Sequence, residues 1–109
     1  MALKDDIRLK PGNYAVIFLS EREENPDGYG EMDDRTMAEV AKLPGFLGYE
    51  NLRVSPMGMF ISYWESKADI DRWRTHALHA EAKHAGRAHW YNAYRSVVCS
   101  IEETHFFRR

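Results

Sequence analysis

The chain has 109 residues, of which 44% are hydrophobic and 29% charged, and its formal net charge is −2 at pH 7. That size and composition are typical of one soluble domain, here 1–109, with a folded core at about 13–103. The balanced charge does not favour nucleic acid as a partner, and no apolar run is long enough to cross a membrane. The first residues, MALKDDIRLKPG, are too polar for a signal peptide, so we expect a cytoplasmic protein.

The first half of the chain predicts a strand, a helix and a second strand. The segment Asn13–Arg22 (NYAVIFLSER) is apolar on both faces at its centre, as a strand covered on both sides would be. After the turn formers of Glu24–Gly30, the segment Tyr29–Leu43 carries apolar residues at roughly helical spacing. Pro44–Gly45 ends this helix, and Phe46–Val54 (FLGYENLRV) predicts the next strand.

The second half predicts a hairpin strand, another helix and a last strand. Ser55–Gly58 is a turn, so Met59–Glu65 is expected to return antiparallel. Ser66 is a suitable N-cap for a helix that continues to Gly86, which either ends or bends it. HWYNAYRSVVCSIEE then leads into the final strand. The order β-α-β-β-α-β predicts an α+β fold of the ferredoxin-like type, with both helices on one face of an antiparallel sheet.

This arrangement leaves the other face of the sheet uncovered. Four partly apolar strands would then expose an extensive patch, which usually marks an interaction surface. Two such sheets packed face to face would form a symmetric homodimer. The single cysteine, Cys99, excludes an internal disulfide and is expected to be a small buried side chain of the last strand.

The residues that could do chemistry are concentrated in Ser62–Tyr91, which holds three tryptophans, four of the five histidines and two tyrosines. His76 and His79 are neighbours on a helix, and His84 lies on roughly the same side. Because the spacing lacks a His-Glu-x-x-His pattern and no cysteine pair accompanies it, no metal is expected. A histidine that faces a cleft could transfer protons near neutral pH, and His79 and His84 are the candidates. The alternatives are solvated histidines and tryptophans that only fill the core.

Three stretches resemble the antibiotic biosynthesis monooxygenase family: LPGFLGYENLR, ISYWESKADIDRWRTHALHAEAKHAGRAHWYNAY and VVCSIEE. The likeness runs from about Asn13 to Glu103, nearly the whole chain. It implies a ferredoxin-like protomer that pairs into a dimeric α/β barrel. Members with known chemistry either oxidise aromatic polyketides with molecular oxygen and no cofactor, or degrade haem.

The leading hypothesis is a cofactor-independent monooxygenase that acts on a small aromatic or quinonoid substrate. Such a reaction needs a dry aromatic wall and a group that holds a substrate anion. Trp73, His79 and His84 would be catalytic. The expected substrate-binding residues are Tyr63, Trp64, His76, Arg87, Trp90 and Tyr91.

Two alternatives remain at this point. The first is a haem-binding or haem-degrading enzyme, because Trp73 matches the helical tryptophan of the haem-degrading members. The helical histidine of those members would fall at Lys83, one residue before His84, and their first-strand asparagine would fall near Ser20. The second alternative is a non-enzymatic module that binds a small ligand on the same scaffold.

Overall fold

A computed structural model of the chain describes residues 3–23 and 28–109. The elements in chain order are β1 (Tyr14–Arg22), α1 (Tyr29–Val40), β2 (Phe46–Val54), β3 (Met57–Trp64), α2 (Lys67–Arg74), α3 (Ala77–Ala85), a π-helical turn (Gly86–Trp90) and β4 (Tyr91–Ser100). The predicted order is confirmed, with the second helix in two pieces. Of the predicted turn at Glu24–Gly30, residues 24–27 lie outside the described ranges.

The four strands form one antiparallel sheet in the order β2-β3-β1-β4. Side chains alternate between the two faces of a strand, so Tyr14 and Val16, which pack against the helices, put Phe18 on the same side. Ile17 and Leu19 point to the opposite face. The helices therefore cover one side of the sheet, and the ferredoxin-like α+β fold is confirmed.

The core lies between the sheet and the helices and is built around Trp64, which is 1% exposed. The Phe46 ring meets the Trp64 ring edge-on at 5.2 Å between centroids. The Trp64 indole Nε1 donates a hydrogen bond to Ser62 Oγ at 2.9 Å, so its polar atom is satisfied inside the protein. The other buried residues of this cluster are Val40, Ile70 and Trp73.

The N-cap predicted for the second helix is confirmed. Ser66 has an extended backbone, and its Oγ accepts a hydrogen bond from the Asp69 N–H at 3.3 Å. The same hydroxyl donates to Asp69 Oδ2 at 2.7 Å. The pair therefore satisfies an N–H group that the helix itself cannot bond.

The single helix expected to continue to Gly86 breaks instead at Thr75 and His76. The Thr75 Oγ1 donates to the carbonyl of Arg72 at 3.0 Å, a local bond that competes with helical continuation. His76 then takes an extended backbone, and its Nδ1 accepts a hydrogen bond from the Leu78 N–H at 3.1 Å. His76 is therefore the N-cap of α3, and the expected helix is two helices, α2 and α3.

Two smaller boundaries also differ from the sequence predictions. The first helix ends at Val40 instead of Leu43, because the Leu43 N–H bonds the Val40 carbonyl three residues back in a tighter turn. β3 begins at Met57 instead of Met59, because Met57 pairs with Val54 across the hairpin. The turn is therefore only Ser55–Pro56, which are joined by a cis peptide bond.

The face of the sheet away from the helices is partly apolar and open to solvent, and we call it the open face. Its exposed large side chains are Leu52, Val54, Met57, Met59 and Val97. The Tyr63 hydroxyl donates to Glu50 on this face at 2.8 Å. Burial first and this bond second raise the pKa of Tyr63 to about 12. Within the described ranges, no helix is both long and apolar enough to cross a membrane.

Candidate functional site

The helix-covered face of the sheet has two ends of different character. We call the core cluster of Val40, Trp64, Ile70 and Trp73 the packed end. The other end, where β1 finishes and β4 begins, carries Ser20, Arg22, Arg53, Tyr91 and Tyr94, and we call it the arginine end. Cross-strand pairing holds this second set together, since Ser20 lies opposite Tyr94 on one side and Gly58 on the other.

Two of the predicted histidines meet a tryptophan beside the packed end. The Trp73 ring is 5.1 Å from the His76 ring and 5.2 Å from the His79 ring, between centroids. Burial lowers the pKa of His79, and the positive charges of Lys83 and Arg74 lower it further against the opposing effect of its hydrogen bond to the Arg74 backbone. His79 is therefore an unprotonated imidazole at neutral pH, which is the form that accepts a proton.

The other predicted catalytic histidine lies elsewhere. His84 is exposed in the last turn of α3. The break at His76 separates the helix that carries Trp73 from the one that carries His84. The structure therefore brings His76 and His79 to Trp73 and leaves His84 at the surface.

The aromatic residues of β4 and the π-helical turn form a continuous wall at the arginine end. The Phe18 ring contacts the Tyr91 ring at 5.4 Å and the Tyr94 ring at 5.3 Å, and the Tyr29 ring contacts the Trp90 ring at 5.3 Å. Gly86 allows this packing, because a Cβ built there would lie only 2.6 Å from Tyr91 Cε2. Arg87 is exposed, and its Nε donates to the Tyr94 hydroxyl at 2.6 Å.

The polar groups beside this wall have perturbed pKa values. Burial raises the pKa of the Tyr91 hydroxyl, and its hydrogen bond with Tyr29 raises it further, so Tyr91 stays protonated throughout the neutral range. Desolvation raises the pKa of Asp33 on α1, and the neighbouring Asp34 adds to this effect, whereas Arg22 opposes it. A cationic side chain, two tyrosines and a carboxyl group therefore influence one another at this end of the sheet.

Two arginines at this end were not among the site residues predicted from the sequence. Arg22 is 8% exposed, and its guanidinium lies 3.8 Å above the Tyr29 ring centroid. Its Nη1 donates to the Glu23 carbonyl at 3.0 Å, and Arg53 Nη2 donates to the Arg22 carbonyl at 2.9 Å. A signal was available, because strand alternation from Val16 places Arg22 on the helix-covered side.

The predicted substrate-binding residues do not all lie together. Trp90 and Tyr91 lie in the aromatic wall at the arginine end, and Arg87 is hydrogen-bonded to Tyr94 of that wall. Trp64 lies within the packed end, where the core surrounds it. Tyr63 lies on the open face, across the sheet from both ends of the helix-covered face.

An open cavity of about 450 Å³ lies between α1 and α3. It is lined by Arg35, Ala38, Glu39, His76, Leu78 and Glu81. The exposed Arg35 and Glu81 approach to 3.7 Å across it. His76 lines this cavity and also contacts Trp73, so its ring connects the cavity with the packed end. Among residues 3–23 and 28–109, no group of three or more His, Cys, Asp or Glu residues could hold a metal ion.

Comparisons with known proteins agree with the fold described above. The family model for antibiotic biosynthesis monooxygenase matches residues 14–85. The uncharacterized protein YqjZ of Bacillus subtilis (strain 168) is 41% identical over 100 residues, which are 91% of this chain and 88% of that protein.

Two solved structures show the same fold at low sequence identity. SnoaB, a cofactor-independent oxygenase from Streptomyces nogalater, superposes with a TM-score of 0.71 at 18% identity, over 85% of this chain and 96% of that one. Rv0793 from Mycobacterium tuberculosis gives 0.71 at 10% identity, over 84% and 97% of the two chains. With most of its length matched by the family model, the chain belongs to the antibiotic biosynthesis monooxygenase family.

Proposed function

We propose that the protein is a cofactor-independent monooxygenase that oxidises a small aromatic or quinonoid substrate. Its family and the likeness in fold to SnoaB, itself a cofactor-independent oxygenase, support the reaction class. The observation that carries the proposal is His79, half-buried against Trp73 with a lowered pKa. Such an imidazole is a general base that is ready at neutral pH.

The chemistry needs no electron donor besides the substrate. His79 takes a proton from an activated CH₂ group or phenol, and the resulting anion passes one electron to dioxygen. The two radicals join in a carbon–oxygen bond, and the peroxide takes up a proton and loses water to leave a carbonyl. The substrate gives up four electrons and dioxygen accepts four, so the reaction balances with water as the second product.

The remaining predicted residues take different parts in this proposal. Trp73 holds the His79 ring in place, and Trp90 and Tyr91 offer a flat apolar surface to an aromatic ring. Arg87 and His84 are exposed and would meet the substrate as it enters. Trp64 and Tyr63 have no direct part in the reaction, because one lies within the core and the other lies on the open face.

The residues present do not fit haem. The tryptophan that matches the haem-degrading members, Trp73, is 8% exposed and packs within the core cluster. Near the position of their asparagine stands Ser20, which is 7% exposed. His84, the nearest helical histidine to the expected ligand position, is exposed at the end of α3.

We further propose that a second copy of the chain covers the open face. Four of the five exposed hydrophobic side chains of that face form one patch on β2 and β3, since Leu52 pairs with Met59 and Val54 pairs with Met57, and Val97 adds another on β4. A dimer would remove this patch from water. Light scattering after gel filtration should give twice the chain mass of 12.7 kDa. A monomer at micromolar concentration would contradict this assignment.

Oxygen uptake tests the proposed reaction. Chelator-treated protein is incubated with hydroxyanthrones in ¹⁸O₂, and the quinone product is measured by absorbance and mass spectrometry. We expect turnover with one ¹⁸O atom in the new carbonyl, and a loss in kcat of roughly a hundredfold or more in His79→Ala. His105→Ala, a change at an exposed position in the C-terminal segment, is the matched control and should leave kcat unchanged.

Two results would replace the proposal with one of its alternatives. Binding of these aromatics without any oxygen uptake would favour a ligand-binding module. A sharp, shifted Soret band at one haem per chain on addition of hemin would favour a haem protein.

A further inference from the structure

A row of polar side chains crosses the helix-covered face at the arginine end. Ser20 on β1 lies opposite Tyr94 on β4 and Gly58 on β3, and Gly58 lies opposite Arg53 on β2. Because Gly58 has no side chain, the Arg53 guanidinium occupies the space above it: a built Cβ would be 3.1 Å from Arg53 Nη1 and 3.3 Å from Ser20 Oγ. The row therefore puts a guanidinium beside a buried hydroxyl.

Two buried donors in this region have no hydrogen-bond partner in the part of the chain that the structure describes. Arg22 Nε and Arg53 Nε are the buried side-chain nitrogen or oxygen atoms within the described ranges that make no hydrogen bond. Arg22 is more than nine-tenths buried, yet its guanidinium bonds only through Nη1 to a backbone carbonyl among the described residues. Buried donors are nearly always paired in folded proteins, so two such donors on neighbouring arginines indicate an absent acceptor.

The positive charge here is also not neutralised by the described part of the chain. None of the ion pairs within 4.0 Å among residues 3–23 and 28–109 includes Arg22 or Arg53. Asp33 acts on Arg22 only at longer range. A buried cation without a partner is costly, and an anionic ligand would compensate for that cost.

An aromatic wall adjoins these two cations. The Tyr29 ring stacks under the Arg22 guanidinium at 3.8 Å, and Tyr91 contacts Tyr29, Phe18 and Tyr94. A ligand that contacts both the arginines and the rings would combine an oxyanion with a flat apolar body. The planar fork of arginine matches the two oxygens of a carboxylate, which favours that group over a single alkoxide oxygen.

We propose that Arg22 and Arg53 bind the carboxylate of an aromatic acid whose ring packs against the tyrosines of the arginine end. This inference rests on the proposed function only for the further claim that the bound acid is the substrate of the oxygenase. Binding itself needs no turnover, so it is measured separately from the reaction. If aromatic acids bind and none is oxidised, the site stands and the proposed oxygenase activity fails.

Isothermal titration calorimetry compares charged and neutral probes on the full chain. The probes are 2-hydroxybenzoate, benzoate, the neutral benzyl alcohol and inorganic phosphate. We expect both carboxylates to bind at least about tenfold more tightly than benzyl alcohol, because a hydrogen bond to a charged group strengthens binding by that much or more. Phosphate should bind more weakly than benzoate, because it has no ring to place against the tyrosines.

Variants locate the binding at the two arginines. Arg53→Gln should weaken benzoate binding about tenfold to a hundredfold, and Arg22→Lys should weaken it by less. Arg109→Gln removes the same charge at an exposed position and should bind benzoate like the unchanged protein. Circular dichroism and thermal melting confirm that each variant is folded.

Three results would overturn the inference. The first is equal affinity for benzoate and benzyl alcohol, or binding of neither. The second is benzoate affinity in Arg53→Gln that matches Arg109→Gln. The third is phosphate affinity equal to that of benzoate, which would leave an anion site without any aromatic specificity. The comparison of probes on the unchanged protein remains decisive even if a variant fails to fold.

Discussion

The two ends of the helix-covered face differ in how the hydrogen bonds of their polar atoms are satisfied. At the packed end, the Trp64 indole donates to Ser62, and the buried Asp69 carboxylate accepts from Ser66 and from Arg72 at 2.8 Å. At the arginine end, two buried guanidinium nitrogens have no acceptor in residues 3–23 and 28–109. The polar groups of the packed end stabilise the fold, whereas the arginine end has buried donors without a partner among the described residues.

The largest expected effect is at the packed end. Trp64→Ala removes the most buried large side chain and also the donor to Ser62, so it should lower the free energy of unfolding by about 3–5 kcal/mol. Urea denaturation followed by circular dichroism measures the change. A loss below about 1 kcal/mol would show that this end is not the stabilising core.

Gly45 tests how closely the chain packs around Asp69. Gly45 has φ +85°, and a built Cβ would lie 2.2 Å from the Asp69 carboxylate. Gly45→Ala should therefore cost about 2–3 kcal/mol, the sum of left-handed backbone strain and a disturbed helix cap. Gly30→Ala is the matched control, because Gly30 lies in α1 with nothing within 4 Å of its built Cβ. In Gly30→Ala the free energy of unfolding should be unchanged or rise by up to about 1 kcal/mol. An equal loss of unfolding free energy in both variants would argue against a clash between the new Cβ and Asp69.

His79 makes stability depend on pH in a known direction. Its pKa in the folded protein is below the ordinary value of 6.5, so the unfolded chain binds more protons below that pH. The contribution of neutral His79 to the free energy of unfolding is fully present above pH 6.5. It is lost as the pH falls through 6.5 towards the lowered pKa of His79 in the folded protein. His79→Gln should flatten the decrease in unfolding free energy between pH 7.5 and 5 more than His84→Gln does. An equal slope in both variants would argue against a desolvated His79.

The smallest effect on stability is expected at Arg53. Arg53→Met removes a partly buried cation with an unpaired Nε and keeps much of its apolar length. Its unfolding free energy should stay within about 0.5 kcal/mol of the unchanged protein or rise, because the loss of one bond to the Arg22 carbonyl is offset by the removal of a desolvated charge. A loss of more than about 2 kcal/mol would mean that Arg53 is a structural residue.

Much of the fold was predictable because its signals are local. The limits of β2 and the Ser66 cap follow from residues within a few positions of one another. The break at His76 was not predicted, because it depends on side-chain hydrogen bonds that the sequence pattern does not specify. These are the bond from Thr75 to the Arg72 carbonyl and the bond from the Leu78 N–H to the His76 ring. A histidine in a helical pattern gives no sign that its ring will cap the next helix.

The candidate site was only partly predictable, because it depends on which face of the sheet each residue occupies. Tyr63 and Trp64 are adjacent in sequence and, by strand alternation, lie on opposite faces of the sheet. Arg22 and Arg53 are 31 residues apart and meet only through the register of β1, β3 and β2. The clustering of tryptophans and histidines in the sequence therefore indicated residues of the helices and gave no sign of Arg22 and Arg53.

One titration compares the two ends directly. Side-chain ¹H–¹⁵N spectra resolve the Nε–H groups of Arg22 and Arg53 and the indole N–H of Trp64, and 2-hydroxybenzoate is added in steps. We predict large, saturable shifts of both arginine signals and almost none of the Trp64 indole signal. Arginine signals that stay in place while the protein binds the acid elsewhere, or that do not move at any concentration, would contradict it.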